Sequence, residues 1–215
     1  MRPLVVLRPE PGATRTAARA EAMGLQVRRL PLFTIVAIDW TAPDPGQFDA
    51  LVLTSANAVR HGGRELDKLK ALPVHAVGEA TAALARAAGF ELTFVGDGGS
   101  RHLPLPEGRR LLHLAGRDHV RMAAATTIPV YEARAIEPPP RLDDLADCVV
   151  AVHSPRAGRR LDQLVAARSR TLIAAISPAA AEACGPGWKR IHSAAQPSDA
   201  ALLALAARLC ESRAG

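Results

Sequence analysis

The sequence predicts an α/β protein made of two similar doubly wound, parallel-sheet domains joined by a two-stranded connector. Three observations carry that expectation. Short apolar runs alternate with alanine-rich helical stretches along all 215 residues. Two long segments echo each other at a constant offset of 99. Two proline-flanked, β-prone segments fall where the echoing halves would join.

The strand candidates are residues 4–7, 26–30, 50–53, 74–77, 92–95, 110–114, 148–152, 172–176 and 191–193. Between them, helical stretches are read at 14–23, 57–69, 80–88, 156–167, 179–184 and 198–211. The strands are continuous in apolar character rather than alternating, which means burial on both faces, and such strands belong to parallel sheets covered by helices.

The echo is clearest at strand ends. Leu53-Thr54-Ser55-Ala56-Asn57-Ala58-Val59-Arg60 and Val152-His153-Ser154-Pro155-Arg156-Ala157-Gly158-Arg159 both read as strand end, serine, helix start. In each copy the next strand and turn follow at the same distance, since Ser55 to Gly78 and Ser154 to Ser177 are both 23 residues. The third strand keeps nearly the same phase, 92–95 matching 190–193 at an offset near 98. Repeated spacing of this kind is the mark of two structurally similar halves.

Residues 31–38 lead into a proline- and glycine-containing loop at 41–46, and residues 128–136 lead into Pro138-Pro139-Pro140, a stiff extended stretch. If these two segments pair, one domain is discontinuous. The expected boundaries are 1–33 plus 137–215 for the first domain and 38–128 for the second, inserted domain. Residues 34–37 and 129–136 form the interdomain connector. Two small domains linked by two strands share little interface, so hinge motion is expected.

Composition narrows the function. Hydrophobic residues make up 48% and charged residues 22%, close to globular averages, while aromatics are only 3%, which argues against base-stacking modules. The net charge of +6 favours an anionic partner, but the arginine doublets 28–29, 109–110 and 159–160 are scattered rather than forming the contiguous patch that nucleic acid requires. The apolar run at 4–7 is too short for a signal-peptide core, and no stretch approaches the roughly 20 apolar residues of a membrane span. Three widely spaced cysteines, Cys148, Cys184 and Cys210, fit neither a disulfide framework nor a thiolate zinc site, so a cytoplasmic protein is expected.

In doubly wound sheets, ligands sit beyond the carboxyl ends of the strands, where turns enter helices. The candidate turns are 8–12, 54–57, 78–81, 115–118, 154–156 and 177–179. Several begin with a cap-competent serine, and Pro155 and Pro178 occupy the first helical position, where a missing N–H does no harm. Free main-chain amides at such ends bind carboxylates or phosphates. Each turn read singly is a helix cap. Four serine- or glycine-headed turns from two facing halves point instead to an anionic ligand held in a cleft.

Gly96-Asp97-Gly98-Gly99-Ser100 lacks the lysine of a phosphate loop and reads as a flexible turn. The seven histidines show no i, i+4 pair, so no metal is expected; His153, directly before Ser154, is the one best placed to face a cleft. Tyr131 is the only phenol, in the connector, where packing or hinge service is the default and proton donation to a leaving group is the alternative.

Taken in order, Val6-Leu7-Arg8-Pro9-Glu10-Pro11-Gly12, the stretch ending Pro31-Leu32-Phe33, Thr54-Ser55-Ala56-Asn57-Ala58-Val59, Ala76-Val77-Gly78-Glu79-Ala80-Thr81-Ala82 and Pro129-Val130-Tyr131-Glu132 resemble the uroporphyrinogen-III synthase family. So do Ser154-Pro155-Arg156, Ile176-Ser177-Pro178 and Ala195-Gln196-Pro197-Ser198 before the last helix. The likeness spans nearly the whole chain, and its specificity lies in the succession of spacings, since each motif alone is weak.

The resemblance implies two α/β domains joined by a two-stranded ladder and a cyclase of tetrapyrrole (haem) biosynthesis that uses no metal or cofactor. Its substrate would be hydroxymethylbilane, a linear tetrapyrrole polycarboxylate. In the family reaction the terminal hydroxyl leaves as water, ring D attacks through its substituted carbon to give a spiro intermediate, and reclosure inverts that ring. By the same resemblance Tyr131 matches the cleft tyrosine and becomes the candidate proton donor. Ser55, Ala56, Asn57, Thr81, Ser154, Pro155, Arg156 and Ser177 match the cleft turns and would bind acetate and propionate groups, with Arg8, Gly12 and Gly78 completing the candidate substrate-binding set.

Two departures stand out. Ala179 and Ala180 follow Ser177-Pro178 where some relatives carry threonines, leaving main-chain amides to serve. Only fifteen positions separate Gly116 from Tyr131, too few for a full helix, turn and strand, so the fourth unit of the inserted domain is expected to be trimmed. The competing reading is a cytoplasmic two-domain anion-binding or sensor module, or a degenerate synthase, without catalysis. A monomer acting on a small molecule, with no nucleic-acid or membrane partner, is the expected working form.

Overall fold

A computed structural model of the chain describes residues 1–96, 108–119, 121–123 and 125–212. The glycine-rich turn at 97–100 lies outside the described residues, as does His102.

The chain divides into two compact units, Met1–Thr34 with Ala135–Gly215, and Ile35–Arg134 inserted between them. The discontinuous unit holds β1 (Leu4–Val6), β2 (Val27–Arg29), β9 (Val149–Val152), β10 (Leu172–Ala175) and β11 (Arg190–Ser193). These form one five-stranded sheet in the order β11-β10-β9-β1-β2, with every pairing parallel. Its helices are α1 (Gly12–Ala22), α4 (Pro155–Leu164), α5 (Pro178–Glu182) and α6 (Asp199–Glu211).

The inserted unit holds β3 (Phe33–Ala37), β4 (Ala50–Leu53), β5 (Val74–Val77), β6 (Leu92–Gly96), β7 (Leu111–Gly116) and β8 (Ala125–Ala135), in the order β3-β8-β7-β4-β5-β6. Its helices are α2 (Ala56–His61) and α3 (Glu79–Ala87). Pairings β8-β7-β4-β5-β6 are all parallel. The β3 and β8 strands carry the chain across both unit boundaries and are also hydrogen-bonded members of this sheet.

The two sheets share one plan. Strands β4, β5, β6, β7 and β8 occupy the places of β9, β10, β11, β1 and β2, and the 99-residue echo corresponds to β4 at 50–53 against β9 at 149–152. In each sheet the order reverses direction at one point, between β9 and β1 and between β4 and β7, which is where an open parallel sheet receives ligands.

Continuous apolar runs make these strands because both faces are covered. Leu4, Val5 and Val6 are all fully buried, as are Val149, Val150, Ala151 and Val152. On one face Leu4, Val6, Val149, Ala151, Leu172 and Ala174 pack against Leu202, Leu203, Leu205 and Ala206 of α6 and Ala13 and Ala20 of α1. The inserted unit has the equivalent core in Leu51, Leu53, Val74, Ala76, Leu112 and Leu114, closed by Ala58, Ala82 and Ala85 of its helices.

Two local departures from the sequence reading have clear causes. The helix expected over 57–69 ends at His61, and a 3-10 turn follows over Gly63–Leu69. Gly63 adopts φ +62°, a left-handed conformation that breaks an α-helix. Between β7 and β8 no helix occurs among the described residues 117–119 and 121–123.

Candidate functional site

Strand ends at the reversal points place the candidate turns. In the discontinuous unit, Ser154 closes β9 in extended conformation (φ −163°, ψ 156°), and its Oγ accepts from the Ala157 N–H at 3.2 Å. Ser177 repeats this after β10, accepting from Ala180 N–H at 3.3 Å, with Pro178 at the first helical position. In the inserted unit, Ser55 accepts from the Asn57 N–H at 3.2 Å at the start of α2. Gly78 opens α3 at φ +77°, a conformation an L side chain rarely adopts, and no side chain caps that helix. Each serine therefore takes up one of the N–H groups that the first turn of its helix leaves without an intrahelical partner.

The side chains between these turns sort differently. Ala56 is 9% exposed and Thr81 4% exposed, and the Thr81 N–H donates to the Gly78 carbonyl at 3.0 Å, so at Thr81 it is the backbone that builds the turn. Asn57 Oδ1 accepts from Arg60 at 3.2 Å. The Arg156 guanidinium lies 4.8 Å from the centroid of Phe33 in a cation–π arrangement, which fixes it at the mouth of α4.

Tyr131 stands on β8 beside Gly116, the last residue of β7, where a shift in register brings the two opposite each other. The ring fills the space that a Cβ on Gly116 would need: such an atom would come 2.7 Å from Cε2, 2.8 Å from Cζ and 3.1 Å from the hydroxyl oxygen. The Tyr131 carbonyl accepts from the Arg117 N–H at 2.8 Å, and the His61 ring lies 6.2 Å away, centroid to centroid. Burial and the neighbouring Arg60 push the His61 pKa down, so this imidazole is neutral near pH 7.

Two polar networks complete the strand ends. His113, 2% exposed in the middle of β7, has its Nε2 2.9 Å from Thr54 Oγ1 and its Nδ1 3.3 Å from Thr127 Oγ1. Burial, with the nearby His119, lowers its pKa to about 4, which keeps the ring neutral and able to hold both hydroxyls. The second network gathers Arg8, Thr16, Arg19 and His153 around Asp199, the first residue of α6. His153 was the histidine expected to face a cleft; its side chain is 8% exposed and turned to Asp199.

The sequence reading located the capping turns but neither network, because the partners lie far apart in the chain, 191 residues in the case of Arg8 and Asp199. One signal was available for His113: a lone polar residue in the apolar run Leu111-Leu112-His113-Leu114-Ala115 must find buried partners.

Comparison with known proteins identifies the lineage. The family profile described as uroporphyrinogen-III synthase HemD matches residues 14–204. The chain belongs to the uroporphyrinogen-III synthase family. It is thus an enzyme of haem and tetrapyrrole biosynthesis. The crystal structure of uroporphyrinogen-III synthetase from Helicobacter pylori 26695 superposes with a TM-score of 0.65 at 20% identity, covering 97% of this chain and 100% of that one, and so shares its fold. A mutant uroporphyrinogen III synthase from the extremely thermophilic bacterium Thermus thermophilus aligns over 96% of this chain and 98% of that one, at 16% identity and a TM-score of 0.48. No curated protein matches the sequence. Among the described residues, no helix is long and apolar enough to cross a membrane.

Proposed function

We propose that the chain converts hydroxymethylbilane into uroporphyrinogen III, without metal or cofactor, by holding the bilane curled and assisting departure of its hydroxyl. The observation that carries this reading is the repeated geometry at strand ends: Ser55, Ser154 and Ser177 each stand in extended conformation at the start of a helix and accept one N–H of its first turn, and helix N-termini of this kind favour anions. Acetate and propionate carboxylates of the substrate bind at these N-termini and at the Gly12 and Gly78 turns, with Arg8 and Arg156 supplying positive charge. Ala56, Asn57, Pro155 and the backbone of Thr81 shape the same turns.

The chemical demand is mostly one of position. Attack by ring D through its substituted carbon competes with simple closure, so the protein must bring that carbon, not its neighbour, to the reacting methylene; orientation of this kind supplies most of the needed acceleration. Loss of the hydroxyl leaves a delocalised cation, stabilised by oriented dipoles and by the substrate's own carboxylates. Tyr131 donates the proton to the departing hydroxyl, directly or through one water, and a weak acid suffices because the leaving carbon is strongly activated. The enzyme works as a monomer in the cytoplasm, a setting that suits three buried, unpaired cysteines.

Incubation of the purified chain with freshly generated hydroxymethylbilane, followed by separation of isomers I and III, tests the reading. Isomer III in excess is the expected product, and Tyr131→Phe lowers kcat on the order of 10²-fold with little change in KM. Isomer I alone would leave a binding protein without catalysis.

A further inference from the structure

Asp199 is unusually crowded for a residue at the start of a helix. Its Oδ1 accepts from Thr16 Oγ1 at 2.8 Å, from His153 Nε2 at 3.1 Å and from Arg8 NH1 at 3.3 Å, while Oδ2 accepts from Arg19 NH1 at 3.1 Å. The carboxylate is 16% exposed and His153 8% exposed, so neither side chain is free to swing. Burial alone would raise the Asp199 pKa, but the hydrogen bonds from His153 and Thr16 and the positive neighbours outweigh it and hold the group ionised. Burial keeps His153 neutral, and its Nε2 is the protonated nitrogen in this arrangement, donating to Asp199.

Arg8 lies beyond the end of β1 and His153 immediately follows β9, so both flank the point where the sheet order reverses. One side of the Arg8 guanidinium is occupied, NH1 bonding Asp199 and Thr16. The Nε and NH2 side makes no hydrogen bond among the described residues, and the side chain is 31% exposed. The group rests on Gly12: a Cβ there would come 2.5 Å from Nε, 2.9 Å from Cζ and 3.0 Å from NH2. A guanidinium held through NH1, with no hydrogen bond at Nε or NH2 among the described residues, keeps the donor pair used in bidentate carboxylate recognition.

We propose that Asp199, supported by His153 and Thr16, is a positioning residue that clamps Arg8 against the bare Cα of Gly12, so that Nε and NH2 form a preset fork for one substrate carboxylate. The proposal rests on the polycarboxylate substrate named above. Pre-setting the fork removes the cost of ordering a flexible arginine on binding. Arg8, Arg19 and Asp199 together carry one net positive charge, so an arriving carboxylate does not have to displace Asp199. The clamp contributes to substrate affinity and not to bond cleavage, because the fork is the same before and during reaction.

Steady-state kinetics with hydroxymethylbilane on the full chain, with the isomers resolved, test this. Arg8→Ala and Gly12→Ala each raise KM about tenfold and leave kcat within about twofold. The double variant is no worse than Arg8→Ala alone, because the three atoms nearest a Cβ at position 12 all belong to Arg8. Asp199→Asn raises KM; His153→Gln, which can still donate to Asp199, raises it less than His153→Leu. An unchanged KM in Gly12→Ala, multiplying effects in the double variant, or a lower KM in Asp199→Asn, as expected if the aspartate merely competes for Arg8, would overturn the proposal. Wild-type protein that yields only isomer I would instead refute the catalytic reading beneath it.

Discussion

Gly116→Ala separates the position of the Tyr131 ring from its chemistry. The added methyl would sit 2.7 Å from Cε2 and 2.8 Å from Cζ, whereas ordinary contact begins at 3.4 Å, so the ring must give way by at least about 0.7 Å. Gly116 lies in a strand and does not adopt a left-handed φ, so the substitution carries no backbone strain of its own. The ring is half-buried and can swing outward, which puts the stability cost near the low end of overpacking, about 1 kcal/mol. A catalytic group misplaced by about 1 Å loses on the order of 10²-fold in rate. We therefore expect kcat for isomer III formation to fall roughly 10- to 100-fold while KM changes little. The thermal midpoint should fall by only a few degrees, about 4–8 °C per kcal/mol for a unit of this size. Combining Gly116→Ala with Tyr131→Phe should lower kcat no further than the more damaging single change. A Gly116→Ala enzyme with kcat within twofold of wild type would show that the placement of this ring does not matter to the reaction.

Three further outcomes follow from the geometry. His113 has a folded-state pKa of about 4, below its ordinary value of 6.5, so the unfolded chain binds more protons in that window. Its contribution is complete above about pH 6.5 and is lost as pH falls toward 4; urea unfolding across this range should show the loss in wild type and a shallower one in His113→Gln. Ser154→Asp keeps an N-cap acceptor but sets a carboxylate where the substrate's is proposed to bind, so KM should rise at least about tenfold with the melting temperature preserved; an unchanged KM removes that turn from the site. Gly158→Ala would place a Cβ 2.9 Å from the Ala180 carbonyl oxygen and 3.1 Å from Ala183, so it should destabilise by about 1–3 kcal/mol; the gain of about 1 kcal/mol expected from helix propensity alone would contradict that packing.

Much of the fold was legible because its signals are local. A buried parallel strand needs an unbroken apolar run, and a serine or glycine is favoured where such a strand turns into a helix; Leu51-Val52-Leu53 before Ser55 and Val150-Ala151-Val152 before Ser154 show both. The 99-residue echo was visible for the same reason. What the reading missed depended on tertiary contact. The break after His61 falls at Gly62, where a Cβ would come 2.7 Å from both the Ala58 carbonyl oxygen and Leu66 Cγ, and at the left-handed Gly63. Residues 34–37 and 129–136 were read as a connector, and nothing local in them tells that β3 and β8 also extend the inserted sheet.

The site divides along the same line. Caps at Ser55, Ser154 and Ser177 are written in the sequence, whereas the burial of Thr81 and the clamp on Arg8 exist only once α3 and α6 are packed. Ala179 and Ala180 remove hydroxyls from the turn after Ser177, yet Ala180 N–H is still donated, to the serine itself at 3.3 Å.

Amide hydrogen exchange, measured residue by residue with and without the tetrapyrrole product, addresses the central idea most directly. Binding through strand-end turns should slow exchange in segments 55–58, 78–82, 154–157 and 177–180, leaving the opposite, amino-terminal ends of the strands unaffected. Protection confined to those opposite ends, or spread only over exposed arginines, would contradict it.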